Sequence, residues 1–343
     1  MIKIGKNKIS IKHRPYIIVE ACVNHQGNFN IAKKMIYAAK DAGAQCMKFQ
    51  HHIVKEEMLE KNIPKSSNFK KPLSKVIEDT NFSIKQHIKL KNICTKIGID
   101  YLCTPFSIKA AKELNKINVK FFKTGSGELT NFPFIDAIAR LGKPMIVSTG
   151  MSLPHEIDET VKIIKKHKTP LGLMHCISAY PCPYEIMNLD FINYLSKKYK
   201  IPVGLSDHTP SIYNALGAVS LGASMIEKHF TFNKNLPGPD HKSSINLKEL
   251  KELTKGVHAN FLARGSKKII FPQEKQIIAW ARESVVSIKN IKKNDIFTRN
   301  NISTKRPSPK GDEVPAKDFF KILDKKSKSN IEVDSIIKKS QVT

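Results

Sequence analysis

Apolar and polar positions along the chain alternate between two periods. Short runs rich in Val, Ile, Phe and Cys predict strands at 16–23, 45–50, 101–106, 120–124, 145–149, 172–178, 203–207 and 224–230. Between them the apolar residues recur every three or four positions, as Ile31, Met35, Ile36 and Ala39 do. They predict helices over 30–42, 84–97, 107–117, 133–141, 154–166, 189–199, 211–221 and 247–263. A leading segment, Lys3 to Lys12, reads as a hairpin capping one end. Eight successive β/α units match the count of a (β/α)8 TIM barrel, whose usual size is about 250 residues. An open doubly wound sheet is the rival, but it seldom needs so many uninterrupted parallel strands. The expected organisation is a barrel over 1–270, a linker over 271–281 with a helix from 273, and a small, mostly β domain over 282–343.

At 343 residues the chain is long enough for one large core and a smaller one. Its 41% hydrophobic and 26% charged content is that of a soluble globular protein. The start, Met-Ile-Lys-Ile-Gly-Lys, has no apolar core, and no run of eighteen apolar residues occurs, so a signal peptide and a membrane span are not expected and the cytoplasm is. The formal charge of +28 raises nucleic acid as a partner. The lysines are spread over nearly every helix without forming a stripe, which argues against that and leaves a field that draws in small anions. Cys22, Cys46, Cys94, Cys103, Cys176 and Cys182 form no CxxC pair and read as reduced core thiols.

A barrel directs attention to the carboxyl ends of its strands. The runs 203–209 and 225–231 belong to neighbouring parallel strands, which brings His208 and His229 to one end as candidate ligands of a divalent metal, with Ser206, Asp207 and Asp240 nearby. By this reading they are the only clustered metal-type ligands in the chain. Strand one ends in Glu20, followed by Asn24 and His25. Lys48 and Gln50 share a face of strand two because strand side chains repeat every two residues. Lys123, Ser126, Glu128, Ser148, Ser178 and Tyr180 follow at later strand ends. Two lysines among apolar neighbours need partners, and lysines with hydroxyls and glycine amides suit a phosphate.

Seven ordered motifs carry a family resemblance: Glu20-Ala-Cys-Val-Asn-His-Gln-Gly, Met47-Lys-Phe-Gln, Lys123-Thr-Gly-Ser-Gly-Glu, Ser148-Thr-Gly-Met, His175-Cys-Ile-Ser-Ala-Tyr-Pro, Gly204-Leu-Ser-Asp-His-Thr and Glu227-Lys-His-Phe-Thr. Together they resemble the sialic acid synthase (N-acetylneuraminate synthase) family from about residue 15 to the end of the chain. The tail resembles the antifreeze-like (SAF) domain of these enzymes, which reaches over a second subunit's barrel and supplies an arginine, here Arg306. Three features depart from the family pattern. Ala21-Cys22 stands where Ile-Gly is more usual, 51–80 is long, and Ser308-Pro-Lys-Gly-Asp replaces the usual Gly-Asn-Gly.

The resemblance implies that phosphoenolpyruvate condenses with an open-chain N-acyl amino sugar such as N-acetylmannosamine or a dideoxy relative. Water adds and phosphate leaves with C–O cleavage. It implies Mn²⁺ or Mg²⁺ on His208 and His229, and phosphoenolpyruvate held by Lys48, Gln50, Lys123, Ser126, Ser148, Ser178 and Ser206. The sugar is expected at Glu128, Tyr180, Asp240 and Arg306, with Glu20 assisting proton transfer and a domain-swapped homodimer as the active unit. Three other functions remain open. A 3-deoxy-ulosonate phosphate synthase shares the enolpyruvate chemistry, a Schiff-base aldolase would use Lys123, and an inactive barrel with a basic tail would bind nucleic acid salt-sensitively.

Overall fold

The structure, a computed structural model of the chain, describes residues 1–59 and 72–343. It divides the chain into two units, Met1–Gly265 and Ser266–Thr343. The first opens with an antiparallel hairpin, β1 (Ile2–Ile4) and β2 (Asn7–Ile9). The strands that follow are β3 (Tyr16–Glu20), β4 (Cys46–His51), β5 (Asp100–Pro105), β6 (Phe122–Thr124), β7 (Met145–Ser148), β8 (Leu171–Cys176), β9 (Val203–Asp207) and β10 (Met225–His229). They form a single sheet in the order β5-β4-β3-β10-β9-β8-β7-β6, and each recorded pairing within it is parallel. Its two ends, β5 and β6, are themselves neighbours, so the sheet curls into a nearly closed (β/α)8 TIM barrel.

The surrounding helices are α1 (Phe29–Asp41), α2 (Val54–Glu57), α3 (Leu73–Thr80), α4 (Ile84–Ile97), α5 (Ile108–Lys116), α6 (Phe132–Ala139), α7 (Pro154–Lys166), α8 (Phe191–Tyr199), α9 (Tyr213–Ser220) and α10 (Leu247–Ala263). The bounds of α4, α7, α10 and β9 coincide with those expected from the pattern, and three of these four are set by local chemistry. In α4, Ser83 and Gln86 form a capping box, and Gly98 ends the helix in a left-handed conformation, φ +73°. Pro154 opens α7, and Asn246 with Glu249 caps α10. Of the long segment 51–80, the flanks form α2 and α3, and 60–71 lies outside the described residues.

Five strands, β3, β6, β7, β8 and β10, are shorter than the pattern predicts, and contacts at the ends of β3 and β8 explain two of them. The first stops at Glu20, not Val23, because the Glu20 carboxylate accepts the Cys22 N–H at 2.6 Å and the chain turns with Cys22 at φ +43°. The sixth barrel strand, β8, stops at Cys176, not Ser178. The ring of His208 bonds the Ile177 carbonyl at 2.8 Å, so that group is already paired.

The two-residue repeat sorts each strand into an outer and an inner face. Ile17, Val19, Met47, Phe49, Leu173 and Leu205 join the core under the helices. Tyr16, Ile18, Cys46, Leu102, Phe121, Ile146, Met174 and Met225 form an inner core into which the hairpin inserts Ile2, Ile4 and Ile9. The hairpin thus plugs the amino end of the barrel, as expected. Further along the same faces the inner residues turn polar, with Glu20 after Ile18, Lys48 after Cys46, Lys123 after Phe121, Ser148 after Ile146 and Glu227 after Met225. The barrel is an apolar plug below a charged floor.

Two histidines beside the barrel are buried in forms that resist protonation. His25 stacks on Phe82 with ring centroids 4.4 Å apart, and His87 lies 2.8 Å from the Tyr101 hydroxyl. Burial pulls His25 down to about 4, and it pulls His87 down to about 3 with help from neighbouring histidines. Each folded pKa is below its unfolded value, so the stability is present above pH 6.5 and is lost as pH falls through the folded values. Each group contributes about 1.4 kcal/mol per unit of separation. The denaturant midpoint should therefore fall steeply between pH 6.5 and 4, and His87→Gln should flatten that fall. Equal midpoints at pH 7 and 4.5 would contradict this.

The second unit contains α11 (Glu274–Ala281), the antiparallel pair β11 (Ser284–Ser287) and β12 (Ile302–Lys305), and a short helix α12 (Phe319–Ile322). Isolated bridges such as Val286 to Ile336 and Ile291 to Ile331 complete a small β-rich unit. It has a core of its own in Val285, Ile291, Phe297, Ile302, Val314, Ile331 and Ile337. Its leading stretch is different: α11 buries none of its residues, and Phe271 and Trp280 are both more than half exposed.

Candidate active site

The charged floor is a closed network of buried ions. Lys48 Nζ lies 2.5 Å from Glu20 and 2.7 Å from Glu227, and Lys123 Nζ lies 3.2 Å from the other Glu227 oxygen. Lys123 also donates to the Ser148 hydroxyl at 2.7 Å, and Ser206 donates to Glu227 at 2.9 Å. All four charged side chains are 5% exposed or less, so each charge needs the others. Burial pushes the Glu227 carboxyl up, but Lys123 and Lys48 outweigh it and hold it well below the usual carboxylate range. Burial likewise takes Lys48 down to about 7, only partly offset by Glu227. Two ammoniums and two carboxylates balance here, and an arriving phosphate or carboxylate would take over the lysines' bonds.

Around this floor the strand ends enclose a cavity of about 520 Å³. Every barrel residue expected to hold a substrate or the metal lines it: Glu20, Lys48 and Gln50 on one side, Lys123, Ser126, Glu128 and Ser148 on another, and Ser178, Tyr180, Ser206, His208, His229 and Asp240 on the rest. Gly150 has a specific use here. A Cβ on it would lie 2.5 Å from the Ser178 hydroxyl and 2.7 Å from that of Ser126, so only glycine lets both hydroxyls converge. The Gly150 N–H donates to Ser126 at 3.2 Å. Glu128 packs over Gly125, and burial raises its carboxyl to about 7.

The imidazoles meet as expected. The rings of His208 and His229 are 5.3 Å apart, and Tyr180 lies 4.1 Å from the His208 ring. The Ile177 carbonyl can only accept, so His208 donates from Nδ1 and in its neutral form leaves Nε2 with a free lone pair. The Nδ1 of His229 is buried with no hydrogen-bond partner. Among the described residues, however, the three side chains whose donor atoms gather within 4.8 Å of one another are Cys22, His229 and Asp240. The histidines are thus not the only clustered ligand types. Cys22 is also no core thiol, because the chain turns after Glu20 and brings it to the cavity wall. Nitrogen, oxygen and sulfur donors at an unpartnered buried imidazole fit a divalent cation.

Other expected neighbours are structural. Asp207 falls on the outer face of β9, where it accepts from Lys228 at 3.0 Å and from the Thr209 hydroxyl at 2.7 Å, so it does not orient ligands. Asn24 ties two strand-end turns together through the Phe230 carbonyl and Ser244 hydroxyl, at 2.9 and 2.8 Å. Arg306 belongs to the second unit, exposed, with its guanidinium 5.5 Å from the centre of the Trp280 ring.

Sequence reading gave no role to Glu227, although the alternation that aligned Lys48 with Gln50 also aligns Glu227 with His229. It also missed a second, outer cavity of about 740 Å³ sharing the walls at Cys22, Gln50, Phe106, Glu128, Tyr180 and Asp240. Its far side is built by α2 and α3, with Met58, Leu73, Val76 and Ile77 beside Glu56 and Glu57. His52 bonds Glu57 at 2.9 Å and stacks on Phe106 at 4.1 Å, which fixes that wall.

Residues 35–269 match the NeuB family. The chain is 37% identical over 333 residues to the N,N'-diacetyllegionaminic acid synthase of Campylobacter jejuni, covering 94% of this chain and 98% of that one. It is 33% identical over 332 residues to human N-acetylneuraminate-9-phosphate synthase, covering 95% and 92%. The crystal structure of N-acetylneuraminic acid (sialic acid) synthetase from Leptospira borgpetersenii serovar Hardjo-bovis, in complex with citrate, superposes with a TM-score of 0.75 at 34% identity, covering 81% of this chain and 94% of that one. The chain therefore belongs to the NeuB family of sialic acid synthases and is a transferase of their phosphoenolpyruvate-dependent, carbon–carbon bond-forming class.

Proposed function

We propose that this chain condenses phosphoenolpyruvate with an open-chain N-acyl amino sugar, N-acetylmannosamine or a dideoxy-diacetamido relative, to give N-acetylneuraminate, legionaminate or a close nonulosonic acid. The observation that carries this reading is the inner cavity. Lys48 and Lys123 lie in it beside the hydroxyls of Ser126, Ser148, Ser178 and Ser206, a donor set that suits a phosphate and a carboxylate on one small molecule. Gln50 completes the phosphoenolpyruvate side. Glu128, Tyr180 and Asp240, which line both cavities, take the sugar.

A divalent ion, Mn²⁺ or Mg²⁺, held by His208 and His229 would supply Lewis acidity towards the sugar's aldehyde oxygen. The enol carbon C3 attacks the aldehyde carbon, and the electron deficiency passes to C2, which takes water. Glu20 accepts the water proton, since its carboxylate is fixed by Lys48 and the Cys22 N–H. The C2–O bond then breaks and phosphate departs with the bridging oxygen. Buried, preset lysines and hydroxyls lower the cost of aligning two substrates.

The outer cavity supports an unphosphorylated sugar. Glu57 and Glu128 place two acidic groups on its wall, and the one lysine there among the described residues, Lys109, is already paired with Glu56 at 3.2 Å, a balance that disfavours a sugar phosphate, while Leu73, Val76 and Ile77 suit a methyl or acetyl group. The reading is tested by phosphate release from phosphoenolpyruvate with N-acetylmannosamine, its 6-phosphate and a dideoxy-diacetamido hexose. Release should require a sugar and be slowest with the 6-phosphate. Release without sugar, or with none of the three, would contradict it.

The second unit is read as an antifreeze-like (SAF) domain that docks on a second copy in a domain-swapped dimer and presents Arg306 to the sugar. The exposed Phe271, Ile277 and Trp280 favour a covered surface there. With phosphoenolpyruvate held well below the wild-type KM, Arg306→Ala and Lys123→Ala should each be nearly inactive, and mixing them with subunit exchange should restore a fraction of turnover. No restoration after demonstrated exchange would remove the composite site.

A further inference from the structure

We propose that Cys22 is a protein ligand of the active-site metal, together with His229 and Asp240, so that this chain's site favours a thiophilic divalent metal over Mn²⁺ or Mg²⁺. The inference rests on the metal-dependent synthase reading above and adds a sulfur donor to its histidine pair.

Geometry comes first. One donor atom from each of Cys22, His229 and Asp240 lies within 4.8 Å of the others. Nitrogen and sulfur donors around one tetrahedral Zn²⁺, at about 2.0–2.3 Å from it, stand roughly 3.3–3.8 Å apart, so the group closes on an ion by a movement of about 1 Å. Second, His229 is 5% exposed, and its Nδ1 is buried without any hydrogen-bond partner. A buried polar atom left unpaired is costly unless something binds it. Third, Cys22 holds φ +43°, a left-handed conformation that glycine adopts freely and that costs other residues about 1–2 kcal/mol. Glycine would make this turn without strain, yet the chain places a thiol here.

The turn also aims that thiol. Glu20 takes the Cys22 N–H, and the Ala21 N–H donates to the Lys48 carbonyl at 3.0 Å, which fixes the backbone leading into Cys22. The Cys22 side chain then faces Asp240 and lines both cavities. A metal deprotonates a coordinating thiol, and thiolate selects softer ions than carboxylate and water do. His208, with Nδ1 engaged by Ile177, keeps Nε2 as a further donor.

The test uses the full chain, stripped of metal and without substrates, titrated with Co²⁺. A thiolate-to-cobalt charge-transfer band should appear in the near ultraviolet. It should persist in Cys176→Ala, which removes the other thiol of the cavity, and be absent from Cys22→Gly. The glycine variant relaxes the turn, so its fold is preserved. Its preference for Zn²⁺ over Mn²⁺ should drop by about 10- to 100-fold or more, the scale on which even outer partners of metal ligands act. X-ray absorption on the zinc-loaded wild type needs no variant and should show one sulfur at about 2.3 Å. A band that survives Cys22→Gly, or a shell of nitrogen and oxygen alone, overturns the inference while sugar-dependent phosphate release leaves the synthase reading standing. A sulfur–cobalt band in a chain that releases no phosphate with any sugar supports the ligand and removes the synthase reading.

Discussion

Replacing Glu227 with Gln is expected to lower turnover by about 10²–10³-fold and to destabilise the fold by about 3–5 kcal/mol. The carboxylate is 3% exposed and is the shared counter-charge of Lys48 and Lys123, bonded to one through each oxygen. Gln has nearly the same shape but no charge. Two ammoniums then remain in a buried floor with Glu20 alone to balance them. Removing one partner of a buried ionic group leaves an uncompensated charge, which costs more than the group contributed. The response of Lys48 follows. Burial already holds it down to about 7, and without Glu227 it loses its proton at still lower pH, so the variant should lose phosphoenolpyruvate binding at neutral pH before it unfolds. Circular dichroism melts and isothermal titration with phosphoenolpyruvate separate the two effects. A variant with wild-type stability and affinity would show that the ion network is not what holds the floor.

Lys48→Ala and Lys123→Ala should each raise the KM for phosphoenolpyruvate by about 10- to 100-fold, since a hydrogen bond to a charged group contributes about 1.5–3 kcal/mol. The KM for the sugar should move much less, because both lysines lie on the inner cavity and neither lines the outer one. A pH signature accompanies the first. The Lys48 ammonium is the binding form and is held down to about 7 by burial, so kcat/KM for phosphoenolpyruvate should fall as pH rises through that value. Lys48→Arg stays charged and should lose that limb even if its absolute activity is low. Equal changes in both KM values would mean that the lysines serve the fold and not the ligand.

The barrel was legible because its two periods are strong and its helix caps are local. Ser83 with Gln86, Asn246 with Glu249 and the proline at 154 fix boundaries by chemistry within a few residues. Most of the site was legible for the same reason, since strand parity carries Lys48, Gln50, Ser148, Ser206 and His229 to one face. Strand ends were less legible. Glu20 turning onto the Cys22 amide and His208 taking the Ile177 carbonyl are contacts made after folding, and each shortened a strand and moved a cysteine or a serine off it. Glu227 is within reach of the parity argument, but an acidic residue in an apolar run has no visible partner until Lys48 and Lys123 are placed beside it. The outer wall had no periodic signal, because α2 and α3 are short and join the site through His52, Phe106 and Glu57.

The central claim, that this cavity joins phosphoenolpyruvate to an amino sugar with loss of phosphate by C–O cleavage, is tested most directly by labelling. Phosphoenolpyruvate carrying ¹⁸O in its bridging position is turned over with the preferred sugar, and both products are weighed by mass spectrometry. The account predicts that the label leaves entirely in the inorganic phosphate and that the sugar gains three carbons with an unlabelled keto oxygen. Label retained in the organic product, or phosphate released with no three-carbon extension of the sugar, would contradict it.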